Sequence, residues 1–198
     1  SPELSYTCGT ADFPLLGQTI GEILNEIAEK YPDIEAIVSP QQDIRLTYRQ
    51  FREAVDQVAR GLMALDINKG DRVGIWAMNY AEWVIVQFAT AKIGAIMVNI
   101  NPAYRTFELE YCLKQSEIKL LILQGRFKTS DYVGMFYETC PEAYESRPGR
   151  ILSEKFPFLK TVVFMGDIPY NGMYQWDDLL KKADSISQDE LREREKAL

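Results

Sequence analysis

The chain has 198 residues, 46% hydrophobic and 26% charged, enough for one domain with a sizeable core and incompatible with a disordered or collagen-like polymer. Twenty-two Lys and Arg against 29 Asp and Glu leave a net charge of −7, the wrong sign for a nucleic-acid scaffold. Histidine is absent, which removes Ser-His-Asp and Cys-His catalysis and His-ligated zinc together. Cys8, Cys112 and Cys140 are odd in number and far apart, fitting neither a disulfide framework nor a metal cluster, so a reducing, cytoplasmic setting is expected. The most apolar stretch, Trp83 to Ile100, contains Gln87, Thr90, Lys92 and Asn99 and does not read as a membrane span. No positive charge precedes Lys30, so neither a signal peptide nor an Arg-rich transit peptide is visible.

In chain order, Thr19 and Glu22 predict a capping box, followed by Ile20, Ile23, Leu24 and Ile27 at helical spacing. Tyr31-Pro32 should stop that helix, because the residue before proline is pushed out of the α region. Glu35 to Val38 and Arg45 to Thr47 read as short strands around a turn at Pro40 to Asp43. Thr47 and Gln50 form a second capping box, opening a helix to about Leu65. Arg72 to Ala77 is a mostly apolar strand, and Asn79 with Glu82 predicts a third capping box before a helix running to Ile93 and ended by Gly94. Ala95 to Ile100 reads as a buried strand, Thr106 as the cap of a helix carrying Leu109, Cys112 and Leu113, and Lys119 to Leu123 as a third strand. A weaker helix spans about Asp131 to Cys140, Pro141 to Pro157 reads as a long surface loop, and Thr161 to Met165 is a fourth strand. Trp176 to Ala183 is a short helix, and the charged stretch Ser185 to Leu198 has little to bury.

Strands alternating with helices predict an α/β fold with an open, mainly parallel sheet flanked by helices. Near-continuous apolar strands agree, since strands covered on both faces need not alternate. The expected organisation is an N-terminal segment over residues 1–70, an α/β subdomain over 71–184 and a charged tail or linker over 185–198.

No two glycines are adjacent, and neither G-x-G-x-x-G nor G-x-x-x-x-G-K-[ST] occurs, so dinucleotide and P-loop fingerprints are lacking. Ligands of open parallel sheets sit beyond the carboxyl ends of the strands. Those ends carry Arg105, then Arg126 with Lys128, cations suited to the phosphates of a nucleotide-like ligand or, alternatively, ordinary solvated loop charges. Asn79 with Glu82 is better explained by capping than as an acid/base pair. Trp76, Trp83 and Tyr104 read as core or rim aromatics, and Cys112 as a small buried hydrophobe. No complete active site emerges from composition and spacing.

Specific strings go further. Leu46-Thr47-Tyr48-Arg49-Gln50-Phe51 resembles the "LTYxEL" element of the adenylate-forming enzymes, the superfamily of acyl-CoA synthetases, luciferases and peptide-synthetase adenylation domains. Lys69-Gly70-Asp71-Arg72-Val73-Gly74-Ile75 is similar to that family's "kGDrVai" strand, and Asn79-Tyr80-Ala81-Glu82-Trp83 to its "N-x-x-E-W" helix start. Ala91 to Pro102, AKIGAIMVNINP, resembles its "a-K-x-G-A-x-x-V-p-l-n-P" element; Glu108-Leu109-Glu110-Tyr111 and Lys119-Leu120-Leu121-Ile122 follow in the expected order. Tyr174 to Leu180, YQWDDLL, is similar to the late "f-x-W-d-x-L-L" helix, so the resemblance runs from about Thr19 to Leu180. Val98 to Arg105 looks most like the fatty-acyl-CoA ligase branch.

The resemblance implies a two-step ligase. A fatty acid and Mg-ATP give an acyl-adenylate and pyrophosphate, and the CoA thiol then displaces AMP to form a thioester. The implied cofactors are therefore ATP, Mg2+ and CoA, with none expected to bind tightly to this chain alone. The family's phosphate loop, magnesium-binding acidic residue, ribose-binding aspartate and catalytic lysine have no counterpart in these residues, so the resemblance implies an inactive N-terminal portion whose partner is the remainder of its own enzyme. In some members the loops after the second and third strands face the CoA nucleotide, which here implicates Asn101, Tyr104, Arg105, Arg126 and Lys128. An apolar face on the first 70 residues would then favour self-association. A stand-alone CoA- or partner-binding half-domain and, more remotely, a flavodoxin-like nucleotide-binding domain are the competing readings.

Overall fold

The computed structural model describes Gly9 and residues 15–198; Cys8 lies outside them. Helix α1 (Ile20–Lys30) opens as predicted: the Thr19 hydroxyl accepts the Glu22 N–H at 3.2 Å and the Glu22 carboxylate accepts the Thr19 N–H at 2.7 Å. Strands β1 (Glu35–Ser39) and β2 (Ile44–Thr47) form an antiparallel hairpin around a 3-10 turn at Pro40–Gln42. Thr47 and Gln50 then cap α2 (Tyr48–Ala64) reciprocally.

The central architecture follows in β3 (Arg72–Trp76), α3 (Ala81–Lys92), β4 (Ile96–Asn99), α4 (Thr106–Gln115) and β5 (Ile118–Leu123). Next come a small hairpin of β6 (Arg126–Phe127) and β7 (Ser130–Asp131), then α5 (Tyr132–Thr139), α6 (Glu142–Glu145), β8 (Thr161–Phe164), β9 (Tyr174–Gln175), α7 (Trp176–Lys182) and α8 (Gln188–Lys196). The five-stranded sheet has the order β4-β3-β5-β8-β9, with every neighbouring pair parallel. The expected parallel α/β sheet is therefore present, extended by the two-residue β9.

Each strand of the centre feeds two cores. Val73, Ile75, Leu120, Ile122 and Val163 face α1, α2, α3, α7 and α8, with Phe51, Val55, Leu62, Val86, Leu179 and Leu191 filling that layer. Trp76, Leu121, Leu123, Val162 and Phe164 face the opposite layer, built on Leu109, Tyr132 and Phe136. Burial on both faces explains why these strands read as continuous apolar runs. Each fully buried side chain of this kind contributes about 1.5–3 kcal/mol.

Five local expectations are corrected. Ala95 to Ile100 looked buried, but β4 is an edge strand with Ile96 50% exposed. Pro141 to Pro157 is not a surface loop throughout: it contains α6 and plants Ala143, Ile151 and Phe156 in the second core. Ser185 to Leu198 does bury something, since Leu191 is 1% exposed and Glu195 reaches Lys92. Asn79 and Glu82 do not form a capping box. The first α3 N–H, from Ala81, is accepted instead by the Gln42 side-chain oxygen at 2.8 Å, and the same carboxamide donates to Glu82 at 2.7 Å. The β1–β2 turn thus supplies a cap that a neighbouring residue normally provides. At α4 the boundary differs by one residue: Arg105 precedes the helix and donates its N–H to Glu108 at 3.0 Å.

Candidate functional site

Strand β3 is followed by β4 on one side of it and, after the next crossover, by β5 on the other. Helix α3 lies in the first core layer and α4 in the second, so the chain reverses its winding at β3. Such a switch point splays the loops beyond the strand ends and opens a crevice between them. A cleft of about 370 Å³ occupies that place, walled by Met78 after β3, Asn101 to Ala103 and Arg105 after β4, and Phe127 to Ser130 after β5.

Buried aromatics hold its rim. Trp76, fully buried, donates its indole N–H to the Asn101 carbonyl at 3.1 Å and meets Tyr132 edge-on, ring centroids 4.5 Å apart. Tyr132 donates its hydroxyl to the Pro102 carbonyl at 3.0 Å, and burial pushes its phenol above the usual range. The Asn101 carboxamide oxygen accepts the Ala103 N–H at 2.9 Å, closing a tight turn. On the other side Gln124, 3% exposed, accepts the Met78 N–H at 2.7 Å and ties the ends of β3 and β5 together.

Cations stand over this frame. Pairing of Arg126 with Asp131 and of Phe127 with Ser130 leaves Lys128-Thr129 as a two-residue hairpin turn. Lys128 has φ +52°, a left-handed conformation that such turns require and that glycine or asparagine normally supplies. A branched-at-Cβ-free but full-length side chain in that region costs about 1 kcal/mol, a strain that concentrates at functional loops. The Lys128 ammonium lies 5.3 Å from the Phe127 ring centroid, within cation–π range. Arg105, exposed, touches the Met135 sulfur at 3.8 Å.

Of the five residues singled out by sequence, Asn101, Arg105 and Lys128 line the cleft. Tyr104 packs instead against the second core, and Arg126, 73% exposed in its side chain, pairs with Asp131 at 3.3 Å outside the lining. Met78 and Phe127 join the lining without having been singled out. The arrangement offers two cations, an amide and an apolar floor, a donor set that fits a phosphorylated ligand with an apolar portion. Among the described residues, no three His, Cys, Asp or Glu side chains cluster to hold a metal.

The AMP-binding enzyme family matches residues 24–187, most of the chain. The chain belongs to that family. Among curated relatives, YngI of Bacillus subtilis is 45% identical over 184 residues, which are 93% of this chain and 34% of the relative. The mitochondrial medium-chain acyl-CoA ligase ACSF2 of Mus musculus is 41% identical over 177 residues, 89% of this chain and 29% of the relative. The chain therefore spans about a third of the length of these curated relatives. Among solved structures, the anthranilate CoA ligase AuaEII in complex with anthranoyl-AMP matches with a TM-score of 0.69 and 26% identity, over 86% of this chain and 29% of that one. The N-terminal domain of FACL13 from Mycobacterium tuberculosis matches with a TM-score of 0.65 and 25% identity, over 87% of this chain and 38% of that one. The family member described here is thus an N-terminal part of the AMP-binding architecture, with the mixed α/β sheet of that region. Among the described residues, no helix is long and apolar enough to cross a membrane.

Proposed function

We propose that this chain is the N-terminal portion of an AMP-forming acyl-CoA ligase acting on medium- or long-chain fatty acids. In the whole enzyme, the carboxylate oxygen attacks the α-phosphorus of ATP, expelling pyrophosphate and leaving an acyl-adenylate. The CoA thiol then adds to the acyl carbonyl and AMP departs, leaving the thioester. The share assigned to these residues is binding: Arg105 and Lys128 neutralise the nucleotide phosphates of CoA, Asn101 shapes the rim, and Met78 and Phe127 pack on the apolar part. The observation that carries this reading is the cleft at the switch point of the sheet, beside motifs of the fatty-acyl ligase branch in their expected order. The phosphate loop, the Mg2+-binding carboxylate and the catalytic lysine are assigned to the remaining two thirds of the enzyme, so the chain by itself is expected to be inactive. A reducing compartment suits its free thiols, whether cytoplasmic or, as the ACSF2 relatives are named, mitochondrial.

The deciding experiment is an assay of the complete gene product beside the 198-residue chain, following pyrophosphate release and thioester formation with fatty acids of graded length. Activity of the former alone supports the reading. A complete protein that adenylates no carboxylate overturns it, and turnover by the chain alone overturns its assigned inactivity.

We further propose that the N-terminal segment packs on the remainder of its large domain. Leu15, Leu16, Ile20, Ile34 and Val38 are exposed large hydrophobic residues within a short stretch of chain, which suits an unsatisfied contact surface. Light scattering of the chain at high concentration should then show self-association; a monomer that binds no hydrophobic dye counts against it.

A further inference from the structure

A second cleft lies at the opposite end of the sheet. It has a volume of about 580 Å³, a size typical of small-molecule sites, and opens below the amino ends of β5 and β8. Lys119, Arg150, Lys160 and Lys182 line it, against one lining carboxylate, Asp66. In a chain of net charge −7 such a concentration of cations is against the average.

The four cations are not equivalent. Lys119 is already matched, by Asp66 at 3.1 Å and Asp71 at 2.8 Å, and its hydrogen bond holds the Asp66 carboxyl below the usual carboxylate range. Arg150, Lys160 and Lys182 have no carboxylate at ion-pair distance among the described residues. Lys182 lies instead over the Tyr174 ring, 4.6 Å from its centroid. The backbone around them is fixed. Ile151 donates to the Lys160 carbonyl at 3.1 Å, Lys160 to the Lys119 carbonyl at 2.9 Å, and Arg150 to the Arg147 carbonyl at 3.0 Å. The Pro148-Gly149 turn that delivers Arg150 needs glycine: Gly149 has φ +77°, and a Cβ there would stand 3.1 Å from the Tyr174 hydroxyl.

We propose that this cleft binds a small molecule carrying a diphosphate group. Three unmatched cations around one hollow balance the roughly three negative charges such a group carries when ionised, and a guanidinium presents paired donors to phosphate oxygens. This assignment stands on Arg150, Lys160 and Lys182 and is independent of the ligase reading, whose cleft is elsewhere.

Isothermal titration of the 198-residue chain with inorganic pyrophosphate and with ADP, without magnesium, tests it. Saturable one-to-one binding is expected, weakening as salt rises. Arg150→Ala and Lys182→Gln should each raise Kd about five- to tenfold, while Lys196→Gln, an exposed lysine on α8 outside both clefts, leaves it unchanged. Equal affinity for the two probes identifies the diphosphate itself as the recognised group, tighter ADP adds a contact to the nucleoside, and binding of pyrophosphate alone points to the free ion. No saturable binding, an equal response to sulfate at matched ionic strength, or loss on Lys196→Gln overturns the proposal. Arg150 is exposed, so its substitution leaves the fold intact, which an unchanged thermal melt verifies.

Discussion

Lys92 on α3 lies 3.3 Å from Glu195 on α8, and the lysine side chain is only 1% exposed. Asp56 of α2 pairs with the same ammonium, and Asn25 of α1 accepts from it at 2.9 Å while donating to Glu195 at 3.3 Å. One buried cation therefore joins four helices. Removing one partner of a buried pair leaves uncompensated charge, which is more damaging than never having had the pair. Lys92→Met should destabilise the chain by about 2–4 kcal/mol, and Glu195→Gln, which keeps the shape, by about 1 kcal/mol. Urea unfolding at neutral pH checks both; equal effects from the two variants would show that charge is not what matters here.

Gln42 should behave as a helix cap despite its distance from α3. Its carboxamide oxygen accepts from Ala81 at 2.8 Å and from Ser39 at 2.8 Å, and its nitrogen donates to Glu82. Gln42→Ala should lower stability by about 1–2 kcal/mol, the usual consequence of losing a cap. The same change at Gln41, exposed on the 3-10 turn, should alter little, and a comparison of thermal melts separates them.

At the switch-point cleft, Lys128→Ala and Arg105→Ala should each raise the KM for CoA of the complete enzyme about five- to tenfold, with the KM for ATP unchanged. Arg126→Ala should do markedly less, because its guanidinium is turned to Asp131. Equal effects at all three positions would contradict the placement of Arg126 outside the cleft.

Burial pushes the Cys140 thiol up to about 11 from an ordinary value of 9.0. The neutral thiol is the form the core tolerates, so the folded chain keeps its proton at a pH where the unfolded chain has released it. Stability from this group is complete below pH 9 and lost between about pH 9 and 11, amounting to about 2–3 kcal/mol. Denaturant titrations across that window should show the decline, and Cys140→Ala should flatten part of it. Cys140 should also resist alkylation in the folded chain at pH 8, as identified by peptide mapping.

Features set by neighbouring residues were legible in the sequence. The reciprocal caps at Thr19–Glu22 and Thr47–Gln50, the helix stop at Gly94 and the strands covered on both sides all have local signatures. What escaped depended on distance. Gln42 caps a helix beginning 39 residues later, so the nearer pair Asn79 and Glu82 looked sufficient. Strand order has no local signal, and β4 therefore read as buried although it lies at the edge. α8 offers one buried apolar side chain, Leu191, and is held as much by a lysine on another helix. At the cleft, Arg105 and Lys128 were readable as cations at strand ends, and Asn101 only through the family resemblance. Nothing in the local pattern distinguished Arg126, whose hairpin partner Asp131 lies across a two-residue turn that no glycine announces.

That turn has a consequence for how a ligand would be met. A lysine on an ordinary loop searches many orientations and loses that freedom when an anion arrives. The hairpin fixes the Lys128 backbone and Phe127 lies within cation–π reach of its ammonium, so part of that search is narrowed before an anion arrives. Relaxing the turn with Lys128→Gly would remove charge and rigidity together. Moving the lysine to Thr129 would keep the charge but free its direction.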